Sequence, residues 1–214
     1  MKTHLAFLKT FREELPPEFR GDDVRYPEAL AEHFIGEYTL AGELVFDPFA
    51  GYGTTLLAAE QMGRIGYGVE LNALKAGYIR SRLKRPQNLI LGDARQLHTL
   101  DLPTMDFCMT SPPYMGIDDA EDPLTDCTTP SKGYSAYLHD LRMVFSHLRA
   151  IVKPAGMVVI EVSNLKEAGR VSTLAWDLAS EVSKVLHFDG EVVICWDEYG
   201  YGYDHSYCLV YSVL

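Results

Sequence analysis

The chain has 214 residues, 47% hydrophobic and 23% charged, enough for one full core and the balance of an ordinary globular protein. No apolar run approaches the roughly 20 residues of a membrane span. Met1-Lys2-Thr3-His4-Leu5 opens no stretch resembling a secretory signal, so a cytoplasmic protein with no membrane partner is expected. Nineteen Lys and Arg against 30 Asp and Glu leave a net charge of −11, which argues against a self-sufficient binder of nucleic-acid backbones.

In chain order, residues 1–25 are polar with helical patches broken at Pro16-Pro17, and they read as an N-terminal extension to a domain spanning 26–214. From Pro27 to Tyr38, Leu30, Phe34 and Ile35 recur at helical spacing. Glu43 to Phe46 is a short strand running into a glycine turn, and Thr54 to Met62 is the helix that follows. Arg64 to Val69 is a second strand closing on Glu70, and Asn72 caps a helix running to about Leu83. Strands follow at 88–91 and 105–109. The stretch 115–133 is irregular and carries Asp118, Asp119, Glu121, Asp122 and Asp126, a composition and length that suit a lid or binding loop. A helix from Tyr134 to Val152 turns at Pro154-Ala155-Gly156 into a strand at 157–162. A helix near 172–186 and strands at 191–196 and 207–213 complete the chain.

Strand and helix alternate through most of this order, which predicts an α/β fold with a mostly parallel sheet covered on both faces, while the last two strands should pair as an antiparallel hairpin. Cys108, Cys127, Cys195 and Cys208 form no C-x-x-C pair, and buried or incidental thiols in a reducing compartment fit better than disulfides or zinc; no metal site is expected.

The polar residues that close the first four predicted strands, three acids and a serine, carry the functional reading. In a doubly wound sheet, ligands bind at the carboxyl ends of the strands, so Asp47, Glu70, Asp93 and Ser111 converge on one rim. Gly51 and Gly53 permit positive φ and a close backbone approach, and the N–H groups opening the next helix suit a carboxylate. Glu70 lies about 20 residues beyond the glycine turn, where an acid takes ribose hydroxyls in this kind of fold. A nicotinamide dinucleotide would call for G-x-G-x-x-G, but Thr54-Thr55-Leu56 supplies no third glycine.

The run Asp47-Pro48-Phe49-Ala50-Gly51-Tyr52-Gly53-Thr54-Thr55, followed by Ser111-Pro112-Pro113-Tyr114, resembles the paired signatures of S-adenosylmethionine (SAM) methyltransferases that act on exocyclic amino groups of nucleic-acid bases. The segment Arg25-Tyr26-Pro27-Glu28-Ala29-Leu30 is similar to the one that packs against the methionine end of SAM in these enzymes. The resemblance spans 25–214, in the order of one permuted arrangement of the group. It implies a Rossmann-like seven-stranded sheet, mostly parallel with an antiparallel C-terminal hairpin. It also implies SAM held by Tyr26, Pro27, Asp47, Phe49, Ala50, Gly51, Gly53, Thr54, Thr55, Glu70, Leu71, Asp93 and Ala94, with Asp47 taking the cofactor's amino group and Asp93 with Ala94 its adenine amine.

Ser111, Pro112, Pro113 and Tyr114 are then the catalytic tetrad. The lone pair of a base amine is delocalised into its ring, so acceptors on its N–H bonds are needed to turn it toward the methyl donor. Ser111 Oγ and the Pro112 carbonyl can do this, and Tyr114 offers a ring for a base taken out of its stack. Serine at the first tetrad position is most similar to cytosine-N4 DNA enzymes; adenine N6, RNA guanine N2, protein glutamine and small-molecule amines are the alternative acceptors, and a non-catalytic partner subunit is the alternative role. His205 is either a residue near the target pocket or a turn residue on the edge hairpin. Lys75, Arg80, Arg82, Lys84 and Arg85 are either a phosphate handhold or a solvated helix face. Neither 1–25 nor 115–133 reads as able to recognise a DNA site alone, so target recognition is expected to be loose, directed at single-stranded DNA or RNA, or supplied by a second protomer or a separate subunit.

Overall fold

The computed structural model describes residues 2–167 and 169–214, without the side chains of Asp22 and Tyr199. Among the described residues, ten strands and five α-helices follow in chain order: β1 (His4–Phe7), α1 (Glu28–Tyr38), β2 (Leu44–Asp47), α2 (Thr54–Gln61), β3 (Ile65–Glu70), α3 (Ala73–Arg82), β4 (Leu89–Leu91), β5 (Met105–Thr110), α4 (Tyr134–Ile151), β6 (Val152–Val162), β7 (Leu165–Glu167), β8 (Arg170–Ser172), α5 (Leu174–Val182), β9 (His187–Gly200) and β10 (Tyr203–Ser212).

Eight strands form one sheet in the order β1-β9-β10-β6-β5-β2-β3-β4, and β7 and β8 pair as a separate antiparallel hairpin. Strands β4, β3, β2, β5 and β6 run parallel, and β10 is antiparallel to both β6 and β9. The seven strands expected gain an eighth, β1, which adds in parallel to the outer edge through His4↔Val193 to Phe7↔Trp196. Residues 4–7 are therefore strand rather than a helical patch. An edge strand far in sequence from its partner leaves little local signal, and its value lies in closing an otherwise open edge.

Side-chain alternation explains why the central strands read as continuous apolar runs. Phe46, Cys108, Val158 and Ile160 pack on one face with Leu141, Phe145 and Leu148 of α4 and Leu178 of α5. Val45, Phe107, Met109 and Val159 pack on the other with Leu30, Phe34 and Ile35 of α1 and Ala58 and Ala59 of α2. Gly66 on β3 allows close contact with α2, since a Cβ there would lie 2.9 Å from the Leu56 Cα. The strand after α4 begins at Val152 rather than Met157, with Ala155 at φ 60 and its N–H donating to the Val213 carbonyl.

Candidate active site

The carboxyl ends of β2, β3 and β5, and the turn after β4, enclose a cavity of about 370 Å³. Its wall includes Tyr26, Asp47, Phe49, Ala50, Gly51, Thr54, Glu70, Leu71, Asp93, Ala94 and the whole segment Ser111 to Tyr114. Of the residues expected around a cofactor, Pro27, Gly53 and Thr55 stand behind this wall. Pro27 precedes the first turn of α1. Gly53 has φ 85, and a Cβ there would meet Ile79 Cγ2 at 2.7 Å, so this turn admits no side chain without strain.

Asp47 is the hub of the rim. Only 3% exposed, it accepts from the Phe49 N–H (3.0 Å) and Thr110 Oγ1 (2.6 Å) on one oxygen and from Thr55 Oγ1 (2.8 Å) on the other. Thr55 is also bonded to the Tyr26 hydroxyl, so one chain of bonds ties the segment leading into α1 to β2, α2 and β5. Burial pushes the Asp47 carboxyl up to about 6, partly offset by the bonds from Thr110, Thr55 and Phe49. Three of a carboxylate's roughly four acceptor positions are thus used within the protein. Asp47 therefore braces the rim from within the cavity wall and keeps one acceptor position for the cofactor amine expected there.

Glu70 Oε2 accepts from the Gly51 N–H (2.8 Å) and Oε1 from the Asn72 N–H (2.7 Å), which pins the glycine turn to the end of β3. Burial raises its pKa, and the same two N–H bonds oppose the rise. Asn72 caps α3 through the Leu74 and Lys75 N–H groups and reaches Asp126 Oδ2 at 2.7 Å. Asp93, expected at an adenine amine, caps the short turn after β4 and is forked by the Arg95 guanidinium at 2.7–3.0 Å. The same guanidinium lies 3.9 Å from both Asp122 and Asp140.

The irregular stretch 115–133 is ordered over this cavity. Asp119, Pro123, Leu124, Asp126 and Cys127 line it, and Met115 and Leu124 are buried beneath. Within the stretch Pro123–Thr125 forms a 3-10 turn capped by Asp122, and Glu121 bridges to Pro130. Tyr52 is also buried, ringed by Phe19 and Tyr78 with the Lys75 ammonium 5.0 Å from its centroid. Lys75 lines the cavity, Arg80 donates to the Leu89 carbonyl and Arg82 pairs with Glu13, so three of the five clustered cations are committed to this fold. His205 lines neither this cavity nor the one beside it; it is bonded to Tyr207 and Asp204 on β10.

The tetrad carries a partner that sequence reasoning missed. Glu161 on β6, 3% exposed, accepts on Oε2 from both Ser111 Oγ (3.0 Å) and the Tyr114 hydroxyl (2.8 Å). A carboxylate within the apolar run Met157 to Val162 was the available signal, because Glu is rarely fully buried without partners. The Pro113 carbonyl is fixed by the Tyr137 hydroxyl at 2.8 Å. Beyond Tyr114 lies a second chamber of about 240 Å³, which shares Val24, Arg25, Tyr26, Tyr114 and Tyr201 with the first and includes Glu161. The Tyr114 and Tyr201 rings are 5.3 Å apart.

Residues 16–78 match a protein-family profile described as DNA methylase. Over 64 residues the chain is 41% identical to the type II methyltransferase M.MthZI of Methanothermobacter thermautotrophicus, a match covering 30% of this chain and 18% of that protein. Among solved structures, TrmN from Thermus thermophilus superposes at a TM-score of 0.62 with 18% identity, over 87% of this chain and 49% of that one. A TehB-like SAM-dependent methyltransferase from Corynebacterium glutamicum gives 0.58 with 12% identity, over 86% and 87% of the two chains. The glycopeptide N-methyltransferase MtfA, solved with S-adenosylhomocysteine, gives 0.59 with 12% identity, over 87% and 90%.

The fold is that of the SAM-dependent methyltransferases.

The chain spans less than a fifth of the curated relative it matches and about half of TrmN. The cavity suits the group's cofactor. It falls within the usual 300–1,000 Å³ range of ligand pockets. Its wall carries a glycine turn, a helix start and Lys75 as donors and positive charge for a carboxylate, and Glu70 and Asp126 as acceptors for hydroxyls.

Proposed function

We propose that the protein transfers the methyl group of SAM to an exocyclic amino group of a nucleic-acid base, with cytosine N4 in DNA as the foremost acceptor. SAM, held by the glycine turn, Glu70 and the surrounding wall, supplies a methyl on a positively charged sulfur. The protein's own residues prepare the amine. Ser111 donates its hydroxyl hydrogen to Glu161, so its Oγ lone pairs are left to accept an amine N–H. The Pro112 carbonyl takes the second N–H, and the nitrogen lone pair then turns away from the ring. When the nitrogen has gained its methyl it must lose a proton, and Ser111 leads that proton to Glu161. Tyr114, its hydroxyl fixed on the same Glu161 oxygen, presents its ring to the base.

The single observation that carries this reading is the buried Glu161 shared by Ser111 and Tyr114 at the junction of the two chambers. The DNA methylase match and the relation to M.MthZI support a nucleic-acid acceptor. A protein-glutamine or small-molecule amine is the second reading, favoured by the net charge of −11, which repels phosphate backbones. Incubation with methyl-labelled SAM and separate DNA, RNA and protein pools tests both. Label should enter nucleic acid and should fall sharply in Ser111→Ala, while SAM binding stays at the wild-type level. Undiminished transfer by Ser111→Ala would reduce the tetrad to a structural turn.

A further inference from the structure

One guanidinium stands among three carboxylates that come from three segments of the fold. Arg95 lies in the turn after β4, on the wall of the first chamber. Its Nε donates to both Asp93 oxygens at 3.0 Å and its Nη2 to Oδ2 at 2.7 Å, while its own N–H donates to Oδ1 at 2.9 Å. Its Nη1 lies 3.9 Å from Asp122 of the stretch 115–133 and 3.9 Å from Asp140 of α4. Among the described residues no other cation pairs with any of the three. We propose, resting on the reading that SAM fills the first chamber, that Arg95 is a positioning residue for its purine end, aiming Asp93 at the purine amine and holding the stretch 115–133 over it.

The chamber wall at this place is apolar with one acid. The Gly92 N–H donates to the Glu70 carbonyl at 2.9 Å, which sets Leu71 and Asp93 at neighbouring strand ends. Ala94 follows in the turn, and the approach of Arg95 to Asp122 brings Pro123 and Leu124 to the same wall. A flat heterocycle with one exocyclic donor suits such a slot. The three hydrogens from Arg95 fill three of the roughly four acceptor positions of Asp93 and leave one for that donor. A planar fork on both oxygens also fixes which way the carboxylate faces.

Asp122 is the knot of the stretch 115–133. Its N–H donates to the Thr129 carbonyl at 3.0 Å, and its own carbonyl accepts from the Thr125 and Cys127 N–H groups at 3.1 and 3.2 Å. Its Oδ1 accepts from the Leu124 N–H at 2.9 Å. With the side chain 13% exposed, a carboxylate there calls for a cation nearby. Without the guanidinium, Asp93, Asp122 and Asp140 would face one another as like charges, and the wall would loosen.

The test is calorimetry of S-adenosylhomocysteine and of its 6-oxo analogue S-inosylhomocysteine, with hydrogen exchange across 115–133 and thermal melting of the unliganded protein as fold control. A 6-oxo group puts an acceptor where adenine has its donor, so the wild type should prefer the adenosyl compound by about tenfold or more. Arg95→Met should bring that preference to within about twofold and speed exchange in 115–133. Arg95→Lys keeps the charge without the fork, so it should restore slow exchange and regain little of the preference. This milder variant decides the matter where Arg95→Met melts early. Equal loss of affinity for both compounds with the preference intact would make Arg95 a structural brace and overturn the inference, as would wild-type exchange in Arg95→Met or a wild type indifferent to the two compounds. No arm needs methyl transfer, so these failures leave the proposed reaction standing. A wild-type protein that binds neither compound would overturn the cofactor reading as well.

Discussion

Replacing Glu161 by Gln keeps the length and volume of the side chain and changes the acceptor that Ser111 and Tyr114 share. In the native arrangement both hydroxyls donate to Oε2, at 3.0 and 2.8 Å. An amide nitrogen at that place would donate instead, and Ser111 Oγ would have to spend on it a lone pair reserved for the amine. Each charge-assisted bond contributes about 1.5–3 kcal/mol against about 1 kcal/mol for a neutral one, so the reorganisation alone removes about 0.5–2 kcal/mol per hydroxyl. Loss of the proton acceptor adds a factor of about 10²–10⁴, as is usual for a general base. The two effects act on one unit and do not add fully, which sets the expected fall in the transfer step at about 10²-fold or more. Glu161 lines only the second chamber, so SAM affinity should stay within about twofold, less than 1 kcal/mol. Single-turnover transfer at saturating labelled SAM reads the step directly. A Glu161→Gln rate within a few-fold of wild type would refute the role given to this carboxylate.

Asp47→Asn should change the pH dependence of stability. Burial lifts the Asp47 carboxyl from its ordinary 3.8 to about 6. Because the folded value lies above the unfolded one, the stabilisation is fully present below about pH 4 and is lost as pH rises through about 6. That rise corresponds to about 3 kcal/mol, which urea unfolding at pH 4 to 7 should show as a slope in wild type that is weaker in Asp47→Asn; equal slopes would contradict the assignment. Gly53→Ala should cost about 1–3 kcal/mol in urea and weaken SAM binding, since φ 85 and the 2.7 Å approach to Ile79 leave no room for a methyl group; unchanged values of both would contradict it. Neutralising Lys84 and Arg85 together should leave oligonucleotide affinity and its salt dependence close to wild type in a filter-binding assay, and a marked loss with a shallower salt slope would restore these cations as the phosphate handhold.

Much of the sheet was legible because its signals are local. The glycine turn, the Asn72 cap and the short apolar runs of β2, β3, β4 and β5 each declare themselves within a few residues, and the rim follows from them, since strand ends in a parallel sheet share one edge. What escaped depends on distance. β1 pairs across some 190 positions with β9, and four residues without a helix behind them give no periodicity to read. Glu161 was visible only as an oddity in an apolar strand; its link to Ser111 exists because β5 and β6 are neighbours. The end of β2 at Asp47 was readable from the sequence, but its bonds to Thr55 on α2 and Thr110 on β5 come from two other elements and were not.

The central claim is that the Ser111–Glu161–Tyr114 group methylates a base amine. Its most direct test is nucleoside mass spectrometry of DNA and RNA incubated with the purified protein and methyl-deuterated SAM. The account predicts deuterated N4-methylcytosine in DNA, absent from reactions with Ser111→Ala. SAM-bound protein that leaves every nucleoside of both nucleic acids unlabelled would contradict it.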